Sequence, residues 1–112
     1  MKTPKIKNIF FAFFSACVFL NPAQAVITFG IPDCGQWVNS KTETRKTWLL
    51  GYMSGLSVMH ELNNNKDDPL KKINSAQQIY LWMDNYCQKN PLKDVSDGGA
   101  ALFIELMKRE GK

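Results

Sequence analysis

The chain has little reactive chemistry. It carries one histidine, His60, and three cysteines, none of them in a C-x-x-C pair. Zinc centres draw on clustered Cys and His, so neither a metal site nor a redox dithiol is expected. His60-Glu61 is followed by Asn64 where a zinc-protease motif requires a second histidine. No G-x-S-x-G and no glycine-rich phosphate loop is present. Acid–base catalysis needs carboxylates whose surroundings separate their pKa values. Only Asp84, mid-helix beside an apolar face, invites inspection. His60 lies near a helix C-terminus, where the dipole favours its protonated form. The expectation is a protein that is not an enzyme and takes no cofactor and no metal.

Long apolar runs and charge blocks are also missing. The longest apolar stretch, Ile9 to Leu20, has twelve residues, interrupted by Ser15. A membrane-spanning helix needs about 20, so no span is expected. No five or six like charges stand together, and no basic stripe interleaves with aromatics. Nucleic acid is therefore not an expected partner. Asn63-Asn64-Asn65-Lys66-Asp67-Asp68-Pro69 is rich in oxygen donors, but it lacks the central glycine and distal glutamate of a calcium loop. It reads as a solvated turn.

The start of the chain has a clear pattern. Lys2, Lys5 and Lys7 precede the apolar run, Asn21-Pro22 ends it, and Ala23-Gln24-Ala25 follows as a small-x-small cleavage site. This is the three-part layout of a secretory signal peptide, with cleavage expected after Ala25. Lipidation at Cys17 would leave only Ile9 to Phe14 as the apolar core, less than the roughly 7 residues such a segment needs. The expected product is a single domain, residues 26–112, in the oxidising periplasm. The formal charge of +4 loses three lysines with the leader, leaving about +1 on 87 residues.

Cys34 and Cys87 remain, and two cysteines permit one intramolecular pairing. A domain this small buries limited apolar surface and gains from a staple.

Three helices are expected after a short extended arm, Val26 to Pro32. Ser40-Lys41-Thr42-Glu43 reads as a capping box. Behind it, Trp48, Leu49, Tyr52, Met53, Leu56, Met59 and Leu62 form one apolar stripe at helical spacing. Gly51 and Gly55 lie four apart beside it. A helical glycine costs about 1 kcal/mol against alanine, so the pair points to a close-packed neighbour inside the domain, with homodimerisation through this face as the alternative. Ser75-Ala76-Gln77-Gln78 is a second box, before a helix burying Ile79, Trp82, Met83, Tyr86 and Cys87. Asn90-Pro91 ends that helix. The third helix starts between Asp94 and Asp97 and presents Ala101, Leu102, Ile104, Leu106 and Met107, with Phe103 near one edge. A short extra turn is expected around Leu70 to Ile73. The fold class is thus all-α, a compact bundle of three main helices with one disulfide.

Three tryptophans and three tyrosines are the better functional lead. Periodicity assigns Trp48, Tyr52, Trp82 and Tyr86 to the core. Tyr80 falls off its helix's core stripe, and Trp37 sits in an irregular stretch before the first helix. If exposed, Trp37 and Tyr80 are the residues to anchor a protein partner.

Tyr86-Cys87-Gln88-Lys89-Asn90-Pro91, the cleavable leader, and Cys34 shortly before the first long helix together resemble the HdeA/HdeB family of periplasmic acid-stress chaperones. The layout is also similar to that of small periplasmic immunity proteins of the resistance-associated/Tai type, which neutralise secreted cell-wall amidases. Cys34-Gly35-Gln36-Trp37 and Trp48 to Gly55 are not hallmarks of HdeA/HdeB, and they leave open a separate family on the same scaffold. The resemblance implies an all-helical, disulfide-bonded, often homodimeric protein that binds unfolded clients when acid loosens it. An immunity or inhibitor protein, or a structural envelope protein, are the alternatives it leaves.

Overall fold

Asp33-Cys34-Gly35-Gln36 closes a capping box. The Asp33 carboxylate accepts the Gln36 N–H at 2.7 Å, and the Gln36 side chain accepts the Asp33 N–H at 3.0 Å. This starts α1, Cys34–Asn39, in the stretch where no helix was expected. The computed structural model describes residues 28–64 and 67–110. The expected leader, Val26 and Ile27 lie outside that range.

Three further helices follow: α2, Glu43–Asn64; α3, Ala76–Lys89; and α4, Val95–Glu110. A 3-10 turn, Pro69–Lys72, precedes α3, with the Asp68 carboxylate accepting the Leu70 N–H. The described residues form no strand, so the fold is all-α with four helices.

The boxes need correction in detail. Ser40 does not start α2, because it serves as the C-cap of α1. Thr42 takes over, accepting the Arg45 N–H on its hydroxyl at 3.3 Å. Arg45 then turns back to donate to the carbonyls of Gln36 and Ser40, the first of which also accepts the Ser40 N–H, and so ties the end of α1 to the start of α2. Ser75 is the N-cap of α3 without a side-chain cap bond; Gln78 reaches back to the Asn74 N–H at 2.7 Å instead. Asp94 caps α4, accepting the Asp97 N–H at 3.0 Å.

One corner ties the two ends together. Asp33 and Asp94 form an isolated antiparallel bridge, with Cys34 N–H donating to the Lys93 carbonyl and Val95 N–H to the Pro32 carbonyl, each at 2.9 Å. The Cys34–Cys87 disulfide sits beside it, with Cα atoms 4.8 Å apart. Thus α1 is bonded covalently to α3, and the start of α4 is hydrogen-bonded to the start of α1.

The core gathers Cys34, Trp37, Leu49, Met53, Ile79, Met83, Cys87, Val95, Leu102, Phe103 and Leu106. In α4 the buried phase runs Val95, Leu102, Phe103, Leu106, so Phe103 faces inward and Ile104 outward, the reverse of the expectation. In α2, Leu49 and Met53 are buried, but Met59 and Leu62 are exposed.

The glycines that pack closely are Gly98 and Gly99. A Cβ on Gly99 would lie 2.8 Å from the Tyr52 ring, and one on Gly98 would lie 2.9 Å from the Tyr86 ring. The two successive residues let α4 approach α2 on one side and α3 on the other. Gly51 and Gly55 meet nothing within 4 Å among the described residues. Gly99→Ala is therefore expected to cost about 1–3 kcal/mol by overpacking. Gly51→Ala is expected to stabilise the dilute protein by up to about 1 kcal/mol through helix propensity. Urea unfolding of both variants at low protein concentration checks the contrast.

Candidate protein-binding surface

All three indole N–H groups are engaged within the protein, as buried tryptophans require. Trp37 donates to Asp84 Oδ1 at 2.8 Å, Trp48 to the Phe29 carbonyl at 2.8 Å, and Trp82 to Glu105 Oε2 at 2.7 Å. Each bond crosses between elements: α1 to α3, α2 to the N-terminal arm, and α3 to α4. The second oxygen of each acid is also bonded, Asp84 Oδ2 to Lys41 at 2.8 Å and Glu105 Oε1 to Arg109 at 3.1 Å. Asp84, the one acid singled out above, thus acts as a strut.

Trp37 is no surface anchor. It is fully buried (0% exposed), because α1 turns its ring into the core beside the disulfide. Tyr80 is partly buried, with the Trp37 ring 6.2 Å away and the Lys46 ammonium 5.6 Å from its ring centre. Neither presents a bare aromatic face.

The large exposed apolar groups lie elsewhere: Phe29, Val38, Leu81, Leu92 and Ile104 are scattered, while Val58, Met59 and Leu62 fall together on α2. At 100° per residue, Thr44, Trp48, Gly51, Gly55, Val58, Met59 and Leu62 share one face of that helix. Val58 and Met59 are each 55% exposed and Leu62 is 74% exposed. No Asp, Glu, Lys or Arg occurs between Thr47 and His60. Trp48 and Tyr52 stack with ring centres 5.3 Å apart at the upper edge. Phe29, 82% exposed, has its backbone held beside them by the bond its carbonyl accepts from the Trp48 indole N–H. The opposite face of α2 carries Leu49, Met53 and His60, the last edge-on to Phe103 at 5.6 Å. A helix apolar on both sides belongs in a core, yet none of the described residues covers the outer side of this one. The sequence signal was present: the apolar set of α2 is too wide for a single stripe.

A second, smaller hollow of about 280 Å³ lies between the 3-10 turn, α3 and α4. Its walls include Trp82, Leu106, Lys72 and Arg109, and its acid, Glu105, is already bonded to Trp82 and Arg109.

Electrostatics concentrate at the start of α4. Burial pushes the Asp94 carboxyl up, but the Ser96 hydroxyl, the N–H groups of Asp97 and Ser96 and the charge of Lys93 outweigh it and hold the group below its ordinary value. Tyr52 and Tyr86 flank this point. Burial raises both phenols, and the charges of Asp94 and Asp97 raise them further, so both stay neutral hydrogen-bonding groups. Among the described residues, no three His, Cys, Asp or Glu side chains converge on a point that would hold a metal ion. No helix among them is long and apolar enough to cross a membrane.

No protein-family model, curated protein or solved structure matches this chain.

A lowered folded pKa at Asp94 stabilises the fold above the unfolded value and ceases to do so as pH falls through the folded one. Asp94→Asn keeps a cap without the charge. Its Tm at pH 7 is expected to lie about 4 °C below the wild type, the worth of a carboxylate at a helix N-terminus in a domain of this size. That gap should close as the pH falls below about 4. Thermal melts of both proteins across the acid range check this; a pH-independent gap contradicts it.

Proposed function

We propose that this chain is a small exported, non-enzymatic protein-binding protein of the HdeA/HdeB kind, which holds unfolded or partly unfolded client proteins in the periplasm under acid or envelope stress. The observation that carries this reading is the uncharged outer face of α2. Exposed contiguous apolar surface on a small stable domain marks an interaction site, and Gly51 and Gly55 leave room for a partner to come close. Supporting chemistry lies in the acids. Asp84 and Glu105 join helices through tryptophan N–H groups, and Asp94 holds the start of α4. The Asp94 carboxylate, held in its charged form by the bonds it accepts, gives up a charge-assisted cap once acid protonates it, which loosens the start of α4 while the disulfide keeps the chain together. More apolar surface is then available to clients.

The test is light scattering of a reduced or acid-unfolded client with and without the purified protein. The expected outcome is suppressed aggregation, stronger below about pH 4, where carboxylates protonate, and diminished by Val58→Lys. No suppression at any pH contradicts the chaperone reading. Tight one-to-one capture of a single secreted amidase, in its place, points to an immunity protein.

A further inference from the structure

We propose that the hollow between the 3-10 turn, α3 and α4 is a binding site for a small aryl carboxylate, one aromatic ring carrying an acid group on a short arm. No wall of it comes from α2. Its volume of about 280 Å³ lies at the lower edge of the roughly 300–1,000 Å³ of small-molecule sites. That suits a single ring and excludes a long acyl chain.

The apolar part is a slot against an indole. Tyr86 stacks on one face of Trp82, with ring centres 5.4 Å apart and planes 13° from parallel. Trp82 lines the hollow and Tyr86 does not, so the hollow meets the other face of the indole. Leu102 and Leu106, each 4% exposed, back the slot, and Leu81, 62% exposed, stands at its mouth. The bond from the indole N–H to Glu105 at 2.7 Å fixes the ring before a ligand arrives, which spares that ordering cost on binding. A flat ring laid against Trp82 gains an offset stack.

The polar part selects the charge. Glu105 is the one acid in the wall, and both its oxygens are taken, Oε2 by Trp82 and Oε1 by Arg109. Lys72 forms no ion pair among the described residues; its ammonium reaches the Leu106 carbonyl at 3.4 Å. Arg109 gives one nitrogen to Glu105, and a guanidinium carries further N–H donors. Two cations against one engaged acid leave positive charge at the edge of the slot, where a carboxylate forms charge-assisted bonds. A ligand this small binds weakly, with a dissociation constant expected at about 0.1–1 mM.

Two-dimensional amide NMR of the exported protein titrated with phenylacetate tests this. Saturable shifts are expected at the Trp82 indole N–H and at the backbone amides of Leu102 and Leu106. Phenylacetamide, of the same shape without the charge, should bind at least about tenfold more weakly. Hexanoate, with the acid but no ring, should bind about three- to tenfold more weakly. Lys72→Gln and Leu81→Glu, both at exposed positions, should each weaken phenylacetate at least about tenfold, the second by setting a like charge at the mouth. Lys108→Gln, outside the hollow, should bind like the wild type, and circular dichroism confirms that the variants fold. No saturable shift up to about 10 mM overturns the site. Phenylacetamide or hexanoate binding as tightly as phenylacetate overturns the ligand class, and unchanged affinity in Lys72→Gln and Leu81→Glu overturns the placement. A peptide ending in a free phenylalanine carboxylate offers the same chemistry; whichever of it and phenylacetate binds more tightly names the source, and either result supports the site.

Discussion

The covalent bond between Cys34 and Cys87 is the constraint on which the rest of the structure depends. It joins positions separated by 53 residues and fixes α1, only six residues long, against the middle of the core. A helix that short has no stability of its own. Held in place, it delivers Trp37 into the core and puts the bridge of Asp33 with Asp94 in register. From that bridge two helices set out side by side, α1 capped by Asp33 and α4 capped by Asp94. The consecutive glycines at the start of α4 then seat it between the tyrosines of α2 and α3.

Polar groups are used economically around this frame. Each tryptophan joins two elements through its indole N–H, and the acids that receive two of these bonds each hold a cation as well. The result is an interior whose helix-to-helix ties run through carboxylates. The outside of α2 is the opposite case, apolar and without charge over most of its length. One helix therefore contributes Leu49 and Met53 to the core on one side and leaves Val58, Met59 and Leu62 exposed on the other. Its small residues Gly51 and Gly55, which cost helix stability, meet no other side chain among the described residues.

Much of this was legible in the sequence. Counting cysteines was enough to pair Cys34 with Cys87, and the 3.6-residue period located α2, α3 and α4. Asn90-Pro91 ended α3 as expected. Other features were hidden for physical reasons. Pro32 read as the end of an extended arm, with an irregular stretch after it, which masked the capping box of Asp33 with Gln36 and with it α1. That missing helix displaced the start of α2 from Ser40 to Thr42 and turned Trp37 from a surface candidate into core. In α2, apolar residues surround most of the helix, so periodicity alone did not say which edge was buried; Met59 and Leu62 fell on the open one. Spacing marked Gly51 and Gly55 for close packing, whereas the contact was made by Gly98 and Gly99, whose neighbours, Tyr52 and Tyr86, come from distant parts of the chain. The candidate surface follows from that difference, since a four-residue glycine spacing has the same appearance whether its neighbour lies inside the molecule or beyond it.

The most direct measurement is chemical unfolding of the protein with the cross-link intact and after reduction, at equal pH and concentration. Opening a loop of 53 residues predicts a loss of about 4 kcal/mol, a large part of the roughly 5–15 kcal/mol that holds a domain together, with α1 the first element to lose its protection from hydrogen exchange. Identical unfolding midpoints in the two states, or a reduced protein that keeps α1 and the Asp33–Asp94 bridge fully protected, would contradict the account.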